Sequence, residues 1–414
     1  MSKLIMKLGI ISGLLLVTSI AVGSTAFAKD GPPKDNMVNG ERYPDGYTPM
    51  EIKNGQYPRK YTPNTEKLGP KEMRVTALGT GMPNVITGNQ KASAWYVELG
   101  NGEKFLFDVG SGSMENLAKL RPDWSKVDKV FASHLHSDHV GGIAELYIGG
   151  WMNGRYKPLH FFGPSGKEPR LGTKEFVKNV VDTWAWDIEG RRTGFPIEGG
   201  KLIAHEFDFR NEGVIYDKNG VKISSFPAIH ILDGSVSFRL DWNGRSFVFG
   251  GDSYPNKWFI KHSKGAELVV HECFFTPESL GELLDTPLPQ AIFITSYIHT
   301  PPDAFGKIMS EIKPRHAIGY HFWTWHDVYD ETLEAVRETY DGPLTLATDM
   351  TVWNVTDEQV VVREAFADED VAPTGTTAAY RSAKREPPEV AKDWISPDIN
   401  AGKWEGYTPP PLPK

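Results

Sequence analysis

The chain has 414 residues, of which 40% are hydrophobic and 24% are charged, and its formal net charge is −8. This composition excludes a disordered or collagen-like chain, and the acidic balance argues against a nucleic-acid partner while leaving room for a local basic patch. The single cysteine, Cys273, excludes an intramolecular disulfide framework and a cysteine-based zinc finger.

The first 28 residues have the pattern of a secretory signal peptide. A positively charged start is followed by an apolar stretch over 8–22, and residues 26–28 fit the small-x-small rule for cleavage between Ala28 and Lys29. We therefore expect a periplasmic or secreted protein. The apolar stretch is short for a membrane span, so we expect no stable membrane anchor, with an uncleaved anchor as the alternative.

Composition divides the remaining chain into three parts. Residues 29–70 are rich in Pro, Gly, Lys and Asn and predict an irregular N-terminal arm. Residues 71–364 alternate strand-like and helix-like patterns and predict one folded domain. Residues 365–414 turn acidic and then proline-rich, which is typical of an extended C-terminal segment.

Short apolar runs rich in Val and Phe predict buried strands, and stretches with a helical period lie between them. The predicted strands are Arg74–Leu78, Ala94–Leu99, Lys104–Asp108, Lys129–Ser133, Lys222–Phe226, Ser246–Gly250 and Glu267–His271. The predicted helices lie near Met114–Leu120, Thr173–Trp184, Asp303–Ile312 and Asp327–Tyr340. This mixture predicts sheets covered by helices, that is, an α/β domain of the layered α+β kind. The long connection over 149–202 is a candidate lid, with a solvated charged loop as the alternative.

Three histidines and an aspartate occur within six positions directly after one predicted strand. His134 and His136 are two residues apart, so on an extended segment they point to the same side. Asp138 and His139 follow at the turn into the next element and can face a second centre. Imidazole and carboxylate groups suit zinc and its neighbours, and at the end of a buried strand they are costly unless they coordinate something. The cluster therefore predicts a metal site.

Further candidate ligands end later strand-like runs. They are His230, Asp252, the pair His271-Glu272, and His321. Polar groups at the strand ends of a layered sheet converge on one edge, which is a common place for a functional site. Because a catalytic metal needs three or more protein ligands, we expect some of these groups to complete the site.

Residues 134–139 have the sequence HLHSDH and resemble the HxHxDH signature of the metallo-β-lactamase superfamily. Later motifs follow in an order that resembles the tRNase Z-like branch of that superfamily, which also holds an arylsulfatase and phosphodiesterases. Those motifs are Leu78-Gly79-Thr80-Gly81, Phe107-Asp108-Val109-Gly110, Gly251-Asp252-Ser253, His271-Glu272 and Thr348-Asp349-Met350-Thr351-Val352. The resemblance covers about residues 71–357. It implies an αββα sandwich with a single catalytic domain over 71–364 and irregular extensions at both ends.

The resemblance also implies a centre with two divalent metal ions. One ion would be held by His134, His136 and His230. The other would be held by Asp138, His139 and His321, and the bridge between the two would be Asp252. A water between the ions would lose a proton near neutral pH and become the nucleophile, with Asp138 orienting it. Zinc is the expected metal, and manganese or iron fit the same ligands.

The same resemblance assigns roles to three groups around the metals. It implies that His299 protonates the leaving group and that Glu272 orients it. A loop histidine with no catalytic role is the alternative for His299. Asp108 would fix the imidazole of a ligand, and a turn aspartate is its alternative. The aromatic segment 320–326 around His321 predicts an apolar pocket that accepts an aryl group, with simple core packing as the alternative.

The sequence departs from the tRNase Z pattern at one place. True tRNase Z enzymes carry a long arm between the third ligand motif and the Gly-Asp motif, whereas here His230 and Asp252 are only 22 residues apart, enough for a hairpin. An exported acidic chain would also attract phosphate-rich RNA weakly. We therefore expect no nucleic-acid partner.

These observations predict an exported dinuclear metal hydrolase that cleaves small-molecule esters by a metal-bound hydroxide. Phosphodiesters, aryl sulfates, and lactones or carboxyl esters are the candidate substrates, aromatic ones included. An iron-dependent oxidoreductase of the same fold and a non-catalytic ligand-binding protein are the alternatives. A homodimer is the usual oligomer for such a chain.

Overall fold

The computed structural model describes residues 37–38, 41–42, 50–52, 55–83, 90–192 and 194–367. The predicted leader and most of the predicted C-terminal extension lie outside these residues, so export stays a prediction. Within the described ranges, we find no helix with the length and apolar character that a membrane span requires.

Strands supply most of the regular structure. The strands are β1 (Met37–Val38), β2 (Glu41–Arg42), β3 (Met50–Glu51), β4 (Lys60–Tyr61), β5 (Glu66–Lys67), β6 (Met73–Gly79), β7 (Ala94–Leu99), β8 (Lys104–Phe107), β9 (Lys129–Phe131), β10 (Leu159–Pro164), β11 (Leu202–Phe207), β12 (Gly213–Lys218), β13 (Val221–Pro227), β14 (Val236–Trp242), β15 (Arg245–Phe249), β16 (Leu268–Glu272), β17 (His316–Tyr320), β18 (Leu344–Leu346), β19 (Thr351–Val355) and β20 (Val360–Ala365). The α-helices are α1 (Ser113–Lys119), α2 (Ser137–Val140), α3 (Gly150–Met152), α4 (Thr173–Thr183), α5 (Ala185–Arg192), α6 (Lys257–Ser263), α7 (Pro277–Leu284), α8 (Leu288–Phe293), α9 (Pro302–Ile312) and α10 (His326–Arg337).

Two large sheets are formed by the described strands. The first sheet has the order β11-β10-β9-β8-β7-β6-β19-β20-β4, and the second has the order β12-β13-β14-β15-β16-β17-β18. In the first sheet β8 to β11 are parallel, whereas β6 pairs antiparallel with both β7 and β19. In the second sheet β12 to β15 are antiparallel and β15 to β18 are parallel. Each sheet therefore has an antiparallel part and a parallel part with crossover helices.

The two sheets face each other across a shared apolar core. Along β7, Trp95 packs into the layer between the sheets and Tyr96 packs into the layer under the helices of the first sheet, as strand alternation requires. Phe107 of the first sheet lies 5.1 Å from Phe247 of the second, between ring centroids. A third apolar cluster joins the other face of the second sheet to α6 and α9 through Phe259 and neighbours. The layers are thus helix, sheet, sheet and helix, and the predicted α/β sandwich is confirmed.

The predicted elements agree closely with these bounds, and three differences matter. The predicted strand Lys129–Ser133 ends two residues earlier, at Phe131. The arm predicted for residues 29–70 contributes β4, which pairs with β20 at the edge of the first sheet. The third difference concerns the candidate lid over 149–202, which is not a single separate segment. Residues 159–164 form β10 inside the first sheet, between β9 and β11, because the apolar run there is buried as a strand. The helices α4 and α5 connect β10 to β11.

Candidate metal centre

The histidine cluster follows the C-terminal end of β9, where the chain leaves the first sheet. The carboxylate of Asp108 accepts two hydrogen bonds from Ser133, one from the backbone nitrogen at 2.7 Å and one from the hydroxyl at 2.8 Å. Because Asp108 takes this backbone nitrogen, strand pairing stops before Ser133. The chain then passes through His134 and His136 and turns into α2, which carries Asp138 and His139.

A first group of nitrogen and oxygen atoms surrounds one point beside this turn. The Nδ1 atom of His136 lies 2.9 Å from Nε2 of His134 and 3.3 Å from Nε2 of His230. Oδ2 of Asp252 lies 3.7 Å from Nε2 of His230 and 3.9 Å from Nε2 of His134. Donors with this mutual spacing can all reach one ion at the usual metal–ligand distance of about 2 Å.

A second group lies on the other side of the same aspartate. Oδ1 of Asp252 lies 3.1 Å from Nε2 of His139 and 3.3 Å from Nε2 of His321. Oδ2 of Asp138 lies 3.3 Å from each of these two nitrogens. Asp252 thus directs one oxygen to each group, which is the arrangement that a carboxylate bridging two ions needs. The structure brings together all seven groups predicted as ligands.

Two unusual backbone conformations position the later ligands. Gly251 precedes Asp252 with a φ of 62°, and a Cβ atom there would lie 2.6 Å from Cβ of Ser133, so no larger residue fits. His321 has a φ of 74°, and its backbone nitrogen donates to the carbonyl of Thr80 at 2.9 Å. Thr80 is held in turn, because its backbone nitrogen donates to Asp349 at 2.9 Å.

The buried carboxylates and imidazoles of the centre favour a bound cation. His139 and Asp252 are buried, and both carboxylate oxygens of Asp252 and Nε2 of His139 lack a hydrogen-bond partner among the described residues. Burial alone would raise the pKa of Asp252, but His139 and His321 hold it well below its usual range. Burial alone would lower the pKa of His139, but Asp252 and Asp138 raise it. Unpartnered buried donors of this kind fit a pair of divalent ions.

His299 and Glu272 form a pair at the edge of the centre. Nδ1 of His299 lies 2.6 Å from Oε2 of Glu272, and the backbone nitrogen of Ser253 donates to Oε1 of Glu272 at 2.5 Å. Burial and then Asp252 raise the pKa of Glu272 well above its usual range, whereas burial lowers the pKa of His299. Because Nδ1 is engaged by Glu272, Nε2 is the nitrogen of His299 that is left for a substrate.

Two residues of this pair's surroundings were not predicted. The ring of Phe274 stacks on His299 at 4.1 Å between centroids, with the two planes 8° apart. Ser253 holds Glu272, as described above. Phe274 follows Glu272, the last residue of β16, by two positions, so an extended continuation of the strand was the signal that could have indicated it. Ser253 belongs to the Gly251-Asp252-Ser253 motif, but the sequence does not indicate that it holds Glu272.

Other candidate residues lie away from the centre. His271 packs against Phe259 at 4.3 Å between ring centroids, and its Nδ1 donates to the backbone carbonyl of Glu272 at 2.8 Å. Tyr320 packs edge-on against Trp95 in the core between the sheets, and Trp323 is buried against Phe275. These two aromatic residues therefore belong to the core and do not line an aryl-accepting pocket.

Comparison with known proteins identifies the family. The model of the family described as Anti-Pycsar protein Apyc1 matches residues 73–300, which is more than half of the chain. The chain belongs to this Apyc1 family. It is also a member of the tRNase Z-like branch of the metallo-β-lactamase superfamily, as the sequence predicted.

Individual relatives agree with the assignment to the tRNase Z-like branch. Ribonuclease Z of Mycobacterium avium is 30% identical over 203 residues, which cover 48% of this chain and 69% of the relative. Ribonuclease BN of Proteus mirabilis is 27% identical over 237 residues, which cover 49% of this chain and 77% of the relative. The crystal structure of the metallo-β-lactamase fold protein YhfI from Bacillus subtilis aligns with a TM-score of 0.53 at 19% identity, covering 69% of this chain and 100% of that one.

These relatives confirm one functional prediction and overturn two. The protein is a metal-dependent hydrolase, as predicted. The predicted function as a hydrolase of small-molecule esters is wrong, and so is the prediction of no nucleic-acid partner, because the relatives are ribonucleases. Net charge is a sum over the whole chain and does not exclude a local basic patch. The short connection between His230 and Asp252 excludes an inserted arm only at that place. The oxidoreductase and the non-catalytic binder are not favoured by these relatives.

Proposed function

We propose that this protein is a metal-dependent phosphodiesterase that cleaves phosphodiester bonds in RNA. The observation that carries the proposal is the double donor group around Asp252 with the His299–Glu272 pair at its edge. Ribonucleases Z and BN among the relatives support RNA as the substrate.

Two zinc ions are the cofactors that we propose. His134, His136 and His230 would hold one ion, and the groups that would hold the other are Asp138, His139 and His321, with Asp252 shared between them. When bound, the ions would polarise the phosphate and activate water. The imidazole and carboxylate set fits zinc, and manganese or iron remain possible occupants of the same donors.

The chain's own residues would divide the remaining work. Asp108 holds Nδ1 of His139 at 2.6 Å, so that Nε2 faces the metal side. Glu272 holds Nδ1 of His299, so that Nε2 can give a proton to the departing ribose oxygen. An RNA alkoxide is a poor leaving group, and a proton placed at this oxygen lowers the barrier to its departure.

The surface next to the centre suits a nucleotide. Ile231 and Leu232 follow the ligand His230 directly and are 55% and 62% exposed. The connection to β14 is short, and β14 and β15 form a hairpin without an inserted arm. Contacts with the bases next to the scissile phosphate would therefore come from this apolar loop rather than from an extended arm.

The decisive experiment measures RNA cleavage by the metal-loaded protein. We expect cleavage of a labelled single-stranded RNA, loss of bound metal and of cleavage in Asp252→Ala, and slow cleavage with retained metal in His299→Ala. His262→Ala is the matched control, because His262 pairs with Glu212 on the surface. Failure of the protein carrying two equivalents of metal to cleave any RNA would refute the proposal.

A further inference from the structure

A cavity of about 230 Å³ lies at the opposite end of the first sheet from the metal centre. The parallel strands β8 and β9 begin at this cavity with Lys104 and Lys129. The metal ligands follow the other end of β9, beginning at His134. The cavity is therefore separate from the catalytic centre.

The cavity collects positive charge in an acidic protein. The lysines that line it are Lys104, Lys126, Lys129, Lys157 and Lys218, against the carboxylates of Glu103 and Asp128. Asp128 is taken by Lys129 and Lys157, each at 2.6 Å. Lys126 and Lys218 have no ion pair within the described part of the chain. Lys104 pairs with Glu98 at 2.7 Å, and Lys129 also lies 3.1 Å from Glu103, so the unbalanced ammonium groups of the wall are those of Lys126 and Lys218.

Two histidines form the polar centre of the same wall. Nδ1 of His160 lies 2.8 Å from Nε2 of His205, and His205 stacks on Phe162 at 4.2 Å between centroids. Burial lowers the pKa of His160, and the charge of Asp128 opposes this only in part, since Lys218, Lys129 and Lys157 lower it further. Burial, then His160 and Lys218, lower the pKa of His205. Both rings are therefore neutral near pH 7, and the pair still offers a ring N–H to an acceptor.

We propose that this cavity binds a phosphate group. A phosphate ester carries a charge near −2 and three acceptor oxygens, which match lysine ammonium groups and a ring N–H. A divalent cation at the histidine pair is disfavoured, because it would lie among the lysines. The cavity is larger than a phosphate, so the group can belong to a mononucleotide or to the backbone of an RNA strand.

The test follows the two histidines directly in the metal-loaded full chain. Inorganic phosphate is titrated while the ring C–H signals of His160 and His205 are recorded by NMR, with assignments from His160→Gln and His205→Gln. Phosphate bound at the metal centre would move other histidine signals, so the readout is specific to the cavity. It does not depend on whether RNA is cleaved, and a failure of the proposed ribonuclease activity would leave it intact.

Two charge reversals make the test selective. Lys218→Glu removes an exposed lysine of the cavity, and Lys222→Glu makes the same charge change on the neighbouring strand β13, outside the cavity. We expect saturable shifts of both histidines, with an apparent dissociation constant at least about tenfold higher in Lys218→Glu and nearly unchanged in Lys222→Glu.

The outcomes that would overturn the proposal are equally specific. One is the absence of any shift up to about 10 mM phosphate, well beyond millimolar binding. Another is equal weakening in both lysine variants, which would indicate only a general charge effect. A third is a response to zinc rather than to phosphate.

Displacement of phosphate by an uncleavable 2′-O-methyl RNA would assign the site to an RNA strand, and displacement by uridine monophosphate alone would assign it to a free phosphate ester.

Discussion

Oδ2 of Asp108 lies 2.6 Å from Nδ1 of His139, and Nε2 of the same imidazole lies 3.1 Å from the carboxylate of Asp252. One ring thus links a carboxylate fixed by Ser133 to the aspartate shared by both donor groups. The orientation of His139 is thus held by the protein's own groups. Metal affinity should therefore depend on a residue that offers the metal no atom.

Replacing Asp108 should weaken metal binding. We expect Asp108→Asn to lower metal affinity by about 10–100-fold, because His139 loses the partner that fixes its ring and tautomer. Competition with a chelator of known affinity measures the change. Asp123→Asn is the control, since Asp123 caps a short surface helix at Ser125. Equal affinity in Asp108→Asn and the wild type would contradict this role.

Removing His299 should slow chemistry without releasing metal. We expect His299→Ala to lower kcat by about 10²–10⁴-fold on RNA, with metal content unchanged, because a proton donor is lost and no ligand is lost. Glu272→Gln should have a smaller effect on kcat in the same direction. Metal analysis decides the interpretation, because His299 and Glu272 also lie close to Asp252 and His321. Loss of an ion in His299→Ala would make His299 a ligand instead.

Phe274 should act as a positioning residue for His299. We expect Phe274→Leu to lower kcat several-fold with little change in KM, because the flat contact that fixes the imidazole plane is lost, and Phe274→Tyr to restore the rate. Phe275→Leu is the control, since Phe275 is equally buried and packs on Trp323 and edge-on against Phe274, whereas the flat stack on His299 belongs to Phe274. Both leucine variants should lose about 1–2 kcal/mol of stability. Equal kcat in the two variants would show that Phe274 only fills space.

Glu98 should make the fold sensitive to acid. Burial alone would raise its pKa, but Arg74 and Lys104, each 2.7 Å away, hold the pKa at about 2. The folded-state pKa is below the unfolded value of 4.5, so the stabilisation is present above pH 4.5 and is lost as the pH falls toward 2. The difference corresponds to about 3 kcal/mol.

Chemical unfolding at several pH values tests this expectation. Glu98→Gln should be less stable by about 3 kcal/mol at pH 7, because Arg74 and Lys104 would lose this buried carboxylate. The gap between the wild type and the variant should narrow below pH 4.5. Acid also protonates the metal ligands, but that effect is common to both proteins. A gap that stays constant down to pH 3 would contradict the assignment.

The sequence predicted the centre better than its surroundings, for a physical reason. Four ligands lie within residues 134–139, and their spacing fixes their directions along one extended segment and one helical turn. The later candidates each follow a strand, so strand order predicted that they converge, and the resemblance to the metallo-β-lactamase superfamily selected His230, Asp252 and His321 among them. The stack of Phe274 on His299 joins two elements whose relative position is set by packing, and only the structure shows it.

The error about nucleic acid has a related cause. The net charge of −8 sums over the whole chain, whereas binding depends on local potential. Lys129 and Lys218 are 89 residues apart in the chain and line the same cavity. Such a concentration of charge is created by the pairing of strands, and composition does not reveal it.

The ligands follow strands of both sheets, and metal binding should therefore stabilise the fold. His134 to His139 follow β9 of the first sheet, whereas His230, Asp252 and His321 follow strands of the second. An ion that binds only when these segments are together adds its binding free energy to the cohesion of the two halves. Without the ions, the halves are held by the apolar core and by hydrogen bonds between them, such as the one from the backbone nitrogen of His321 to the carbonyl of Thr80. The metal-loaded protein should therefore resist proteolysis for longer than the metal-free protein, so that a metal-free copy would be degraded first.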